Sequence, residues 1–307
     1  MAYRSAVRIG VFFPTKEYAP LDEMVARFRE VEQQGFSSAW LPQSSGFDAL
    51  TVLAVVGAQV PRLELGTAVV PTFPRHPVAL GAQALTVNAA TGGRLVLGVG
   101  LSHRMSIEGT YGLSYERPAR HMREYLAALL PLLEHGSVDT SGATITARAT
   151  LSTPGATAPS VLLAALQPRM LELAGGMAAG TITWCTGPVT LAEQIVPLVT
   201  AAAEAGRRPA PRVVVALPAI VTDDEADGRT KADQQLAGYG GIPVYRAVLD
   251  REGVAGPADV SVVGDEASVA RQLARLREIG ATDFVAIPAG TRDDRRRTLD
   301  HLATLVT

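Results

Sequence analysis

Short, mostly apolar runs alternate along this chain with longer stretches in which apolar side chains recur every three or four positions. The runs at 7–13, 36–41, 63–69, 94–99, 161–165, 181–184, 212–221 and 283–287 lack polar alternation, as expected of strands covered on both faces. The first of them is closed by Pro14. Helical spacing puts Leu21, Met24, Val25, Phe28 and Val31 on one face of a helix from about Pro20, with Gly35 where its C-cap belongs. The same periodicity predicts helices over 48–60, 78–90, 168–177, 189–205 and 292–306. Another starts near Arg117 and carries Met122, Tyr125, Leu126, Leu129, Leu130 and Leu133. A longer helical region begins at 223–237 and continues through 244–249 and 266–279. Residues 100–117 form an excursion, and alternation at 144–148, inside the polar stretch 136–159, predicts a small surface hairpin.

Eight strands alternating with eight helical segments point to a parallel sheet, and that number favours closure. The expected fold is α/β: a single (β/α)8 TIM barrel over 1–307, with an insertion after strand four.

Barrels of this kind carry their chemistry at the carboxyl ends of the strands. The segments that matter are then 42–46, 68–75, 100–115, 165–168, 184–188 and 218–224. In one of them, Gly98-Val-Gly100 ends a strand and leads into Ser102-His103-Arg104. Glycines there let a flat or anionic ligand lie against the main chain. A dinucleotide fingerprint would need a third glycine at position 103, where His stands, and a helix directly after it. A turn glycine pair with no ligand is the plain alternative. Helices beginning at Pro168 and Pro188 offer exposed N–H groups to an anion, although any strand-to-helix loop uses such residues.

Composition narrows the classes. Of 307 residues, 47% are hydrophobic, enough for a large core, and a net charge of −2 argues against nucleic acid. The basic run Arg295-Arg-Arg297 stands beside Asp293, Asp294 and Asp300 and reads as a solvated helix face. The single Cys185 excludes an internal disulfide or a thiolate metal cluster, fits a reducing cytosol, and reads as a buried, inert thiol. No secretory leader is expected, because residues 6–13 are interrupted by Arg8 and end at Pro14. The longest apolar run, 213–221, is too short for a bilayer. A soluble cytoplasmic protein is expected. The five histidines lack metal-ligand spacing, so no metal is expected, and no Gly-x-Ser-x-Gly elbow follows a strand. Asp223-Asp-Glu225 opens a helix and reads as a cap.

Three motifs resemble a known family: Gly66-Thr-Ala-Val-Val-Pro-Thr-Phe-Pro-Arg-His-Pro77, Gly93-Arg-Leu-Val-Leu-Gly-Val-Gly100 and Ala164-Ala-Leu-Gln-Pro168. Together they resemble the luciferase-like monooxygenase superfamily, and within it the coenzyme F420-dependent oxidoreductases of actinobacteria. The resemblance implies frequent dimerisation and a deazaflavin, or in other branches FMN, across the barrel mouth. It implies a bulge at Ala68-Val69 behind the ring, often with a non-prolyl cis peptide. Gln43, Thr67, Gly98, Gly100, Ser102 and His103 would line the ring and its side chain. Ala165, Leu166, Gln167, Thr186 and Gly187 match the phosphate region.

Related sugar-phosphate dehydrogenases carry Asp-His at the end of strand two, the His acting as base. Leu41-Pro-Gln-Ser-Ser45 has neither. That departure favours a reductase giving hydride to an activated C=C or C=N bond of a small metabolite, which needs only an acid to finish. His103, Tyr111 and Tyr115 are the candidate donors. The alternatives are an FMN-dependent two-component monooxygenase and a non-catalytic deazaflavin-binding protein. A homodimer with a small-molecule substrate, and neither nucleic-acid nor membrane partners, completes the expectation.

Overall fold

The computed structural model describes residues 7–13 and 20–306. In chain order the elements are β1 (Arg8–Phe12), α1 (Leu21–Gln33), β2 (Ser38–Leu41), α2 (Ala49–Gly57), β3 (Glu64–Thr67), β4 (Val70–Pro71), α3 (Pro77–Ala90) and β5 (Leu95–Gly100). Then come α4 (Arg104–Tyr111), α5 (Pro118–His135), β6 (Ser137–Ser141), β7 (Thr146–Thr150), β8 (Ser160–Ala164), α6 (Pro168–Gly176) and β9 (Gly180–Trp184). Next, α7 (Pro188–Thr190) runs through a π-helical turn (Leu191–Ile195) into α8 (Val196–Ala205). The chain ends with β10 (Arg212–Val221), α9 (Glu225–Gln235), α10 (Pro243–Glu252), β11 (Val262–Gly264), α11 (Glu266–Ile279), β12 (Asp283–Pro288) and α12 (Arg292–Thr304).

Parallel pairing runs β1–β2–β3–β5–β8–β9–β10–β12 and returns to β1, so eight strands close into the expected barrel. The apolar runs are strands because both their faces are covered. One face of each points inward, where Trp40, Val96, Leu162, Ile182, Val214 and Val285 fill the barrel. The other packs under the helices; Met24, Val25, Phe28 and Val31 of α1 are all buried there, as their spacing predicts.

Below Trp40, toward the amino-terminal ends of the strands, charge closes the barrel. Arg212 Nε donates to Asp283 Oδ2 at 2.9 Å, while Nη2 donates to Asp283 Oδ1 and Glu64 Oε1, each at 2.6 Å. Its guanidinium stands 5.9 Å from the Trp40 ring centre. Burial works to depress the Arg212 pKa, but the two carboxylates outweigh it and hold the guanidinium charged. With that end plugged, only the carboxyl end can open to a ligand.

Three parts of the chain differ from the sequence reading. The long helical region after 223 is broken into α9, α10, β11 and α11, and β11 extends the pairing of β10 at Ala219–Val221. The excursion after β5 contains the helix α4. The closure of the first strand by Pro14 lies outside the described residues. Other expectations hold. Antiparallel β6 and β7 form the surface hairpin, and Asp224 caps α9 by accepting from Asp227 N. Glu124 of α5 fastens that hairpin, accepting from the backbone N–H groups of Ala143, Thr144 and Ile145. Cys185 is buried and its pKa is pushed up. The basic run is a solvated face only in part: Arg296 is exposed, whereas Arg297 is tied to Asp223 and Glu266. No described helix is long and apolar enough to cross a membrane.

Candidate functional site

After Thr67 the third strand breaks and the chain bulges through Ala68-Val69 before β4 resumes pairing, Val70 opposite Val99. The Ala68–Val69 peptide is cis. Ala68 N donates to Leu41 O at 2.8 Å, and Gln43 N donates to Val69 O at 3.4 Å. The two glycines of β5 make this bulge possible. A Cβ at Gly98 would stand 2.0 Å from Thr67 O, and one at Gly100 2.7 Å from Val69 Cγ2. Thr67 Oγ1 donates to Gly98 O at 2.8 Å. The reading of Gly98 and Gly100 as a bare surface for a ligand is therefore corrected at Gly98: the neighbouring backbone occupies that space.

Above the bulge, the strand ends enclose two communicating lobes. The first, about 570 Å³, lies over the barrel axis between Gln43, Ala68, Val69, Trp184, Gln235 and Tyr239. The second, about 750 Å³, runs outward between Gly100, Tyr115, Leu166, Gln167, Arg169 and Val244. Val69, Ser102, His103, Ala164 and Trp184 belong to both. Either volume is ordinary for a small-molecule site. A groove of about 900 Å³ between α1 and α12 shares only Phe12 with the first lobe and holds none of the expected site residues.

Ser102 sits at φ 60°, a left-handed conformation that side chains disfavour, and so turns the chain sharply out of β5. Tyr115 Oη donates to its carbonyl at 3.1 Å. The Tyr115 ring packs on Phe73 (centroids 5.1 Å apart) beneath the Arg104 guanidinium. Phe73 in turn stacks on His121 at 3.9 Å, whose Nε2 meets Thr72 Oγ1 at 3.0 Å. Burial pushes the His121 pKa down to about 4, against the pull of Glu124.

These contacts sort the three candidate donors. Tyr115 spends its proton on Ser102 and holds the turn in place. Tyr111 is 47% exposed and lines neither lobe. His103 stands at the junction of the lobes, edge-on to Tyr245 with centroids 5.7 Å apart, and burial lowers its pKa below 6.5.

The two expected anion cradles also part company. At α7, Glu252 has taken the place of an anion: Val189 N donates to its Oε2 at 3.1 Å and Thr190 N to its Oε1 at 2.6 Å. A Cβ on Gly187 would meet the same carboxylate at 2.6 Å. Thr186 and Gly187 are thus removed from the phosphate region by a residue of this chain. At α6, no side chain caps the helix at Gln167, and Ala165, Leu166, Gln167 and Arg169 all face the second lobe.

Sequence reasoning missed Phe12, Gln235, Tyr239 and Tyr245 as wall residues. Phe12 ends β1, so the strand-end rule applied to every strand would have found it. Gly238-Tyr-Gly-Gly241 breaks the helical pattern and marks where the chain turns over the mouth. Among the described residues no group of three or more His, Cys, Asp or Glu side chains could hold a metal.

Known proteins share this architecture. A reductase of Methanolobus tindarius, named for 5,10-methylenetetrahydromethanopterin, is 25% identical over 252 residues, covering 81% of this chain and 77% of the reductase. A solved F420-dependent secondary alcohol dehydrogenase, held with an F420–acetone adduct, superposes with a TM-score of 0.82 at 17% identity over 98% of each chain. The oxygenating part of the 3,6-diketocamphane monooxygenase of Pseudomonas putida, solved with FMN, gives 0.75 at 14% identity over 97% of each. The luciferase-like monooxygenase family matches residues 7–283, which span the whole bulge, all the residues lining the two lobes except Ile287, and seven of the eight barrel strands in full, so the chain belongs to that family.

Proposed function

We propose that the chain is a coenzyme F420-dependent reductase acting on an activated C=C or C=N bond of a small metabolite. One observation carries the reading: a single cavity has an uncharged wall at one end, among the described residues, and Arg104 and Arg169 beside an uncapped helix start at the other. A molecule that is a flat ring at one end and an anionic tail at the other fits such a cavity, and coenzyme F420 is built so. Ala68, Val69, Ser102 and His103 would hold the ring, and 165–169 with the arginines would hold the tail. When bound in its reduced form, the coenzyme supplies the hydride.

The protein's own part is to orient, exclude water and deliver a proton. No carboxylate stands in either lobe among the described residues, so His103 has no acidic partner there to strengthen it as a base toward an alcohol. Tyr239 and Tyr245 keep their protons, because burial raises both pKa values. His103 is left as the group that can give one up on the acid side of neutrality. Since burial lowers its pKa, the protonated donor is present on the acid side, and kcat/KM falls as pH rises through a value below 6.5. His103→Asn is expected to remove that limb and lower kcat by about 10²-fold. A pH–rate profile of both proteins checks this; a limb that survives in the variant moves the proton elsewhere.

The cofactor is tested first. Purified protein is titrated with coenzyme F420 and, separately, with FMN, following the fluorescence of each. Saturable F420 binding is expected. The FMN-bound neighbour supports FMN as the second reading, and tight FMN binding without F420 binding would favour it. Binding of F420 with no oxidation of its reduced form, against a panel of enones and imines, would leave a binding protein instead.

A further inference from the structure

The first lobe contains a polar group that neither cofactor binding nor proton delivery uses. Trp184 ends β9 and faces both lobes, yet its indole Nε1 is buried and has no hydrogen-bond acceptor. The other tryptophan is different: Trp40 Nε1 donates to Ser38 Oγ at 2.8 Å. Buried donors are nearly always paired, so an orphan at the wall of a cavity marks a place where a ligand brings the acceptor.

The surroundings restrict that ligand. Phe12 lies nearly parallel to the indole, with 20° between planes and centroids 6.4 Å apart. Tyr239 meets Trp184 edge-on at 5.6 Å, and Tyr245 meets Tyr239 likewise at 5.4 Å. Such a wall favours flat π systems. The Tyr239 phenol oxygen is close enough to the indole N–H to feel it, which works to lower the Tyr239 pKa against burial, but the pair falls short of hydrogen-bond geometry, so the donor is not fully satisfied. Tyr239 can give way, because it stands between glycines: Gly238 is at φ 91°, and a Cβ on Gly238 or Gly241 would touch nothing. The walls of this lobe include no Asp, Glu, Lys or Arg among the described residues, and a charged ligand would enter unpaired.

We infer that the Trp184–Tyr239 corner is the substrate-recognition element and that it takes a planar, uncharged molecule bearing a conjugated carbonyl, whose oxygen accepts the Trp184 N–H. The inference rests on the reductase reading for its chemistry, since conjugation to a carbonyl is what activates a C=C bond toward hydride. The binding itself does not need the cofactor.

Three compounds of nearly one shape test it on the purified full chain without cofactor: benzylideneacetone (a neutral enone), trans-1-phenyl-1-butene (no carbonyl) and cinnamate (a carboxylate). Calorimetric titration is expected to rank the enone about tenfold tighter than the hydrocarbon, as one hydrogen bond would give, with cinnamate weaker than both. Trp184→Phe keeps a ring and removes the N–H, so the enone's advantage falls to about onefold. In the wild type, the two indole N–H signals of a ¹H–¹⁵N spectrum supply a readout that needs no variant. One is expected to move with the enone and not with the hydrocarbon. Equal binding of cinnamate, an undiminished advantage in Trp184→Phe, a still indole signal, or no binding of any of the three would overturn the inference. Enone binding in a protein that ignores F420 would sink only the reductase reading; F420 binding without enone binding would sink only this one.

Discussion

Arg212→Met is expected to destabilise the protein by about 3–5 kcal/mol, the cost of breaking a buried ion pair from one side. Asp283 is 1% exposed and takes two hydrogen bonds from this guanidinium. Removing the cation leaves a carboxylate under the barrel floor held by Thr282 Oγ1 and, at 3.5 Å, by the more exposed and weaker partner Arg8, beside a second carboxylate at Glu64. Thermal unfolding should shift down on the order of 10 °C. Arg212→Lys keeps the charge but loses the two-pronged geometry, so it should fall between. Adding Asp283→Asn to Arg212→Met should recover part of the loss, because the stranded charge is then gone. A melting temperature unmoved by Arg212→Met would mean that the network is not a source of stability. The effect should fall on unfolding and leave ligand affinity of the surviving folded protein nearly intact, since the cluster sits at the end opposite the mouth.

Gly98→Ala should act in the reverse way, on the site as much as on the fold. The added methyl would arrive 2.0 Å from Thr67 O, which is backbone and cannot rotate aside. The chain must move, and it moves at the junction of β3 with the bulge. A loss of about 3 kcal/mol is expected from overpacking, together with loss of cofactor affinity, because Ala68 and Val69 form the floor of the first lobe. Gly100→Ala is the milder companion: its methyl meets the Val69 side chain at 2.7 Å, where a rotamer change can absorb part of the clash. Denaturant melts read the stability; F420 titration of the folded fraction reads the floor. Equal affinity in Gly98→Ala and wild type would show that the bulge does not shape the ligand's seat.

Much of the barrel was written locally. Strands such as β5 and β10 are apolar on both faces, and the run read at 212–221 coincides with β10. What was not legible depends on partners distant in sequence. Glu252 fills the α7 cradle across more than 60 residues, and no local pattern announces that an anion site will be taken by the chain's own carboxylate. The glycines of β5 were noticed, but their clash partners lie on β3 and the bulge, which only the sheet order reveals. Tyr115 looked like an acid because phenols can be; its hydroxyl is spent on a carbonyl 13 residues back. The region after 223 read as one longer helical region in three stretches, and the gaps between them hold what periodicity does not describe: the glycine-rich turn that carries Tyr239 and the short strand β11.

The carboxylate at the start of α7 has a mechanical side as well. It nails down the carboxyl end of α10, and Tyr245 lies on the same helix nearer its other end. The segment entering that other end is Gly238-Tyr-Gly-Gly241. A panel riveted along one side and hung on glycines along the other has one way to yield, so any widening of the roof over the barrel is expected at the Tyr239 edge, beside Trp184, with the Glu252 edge staying put.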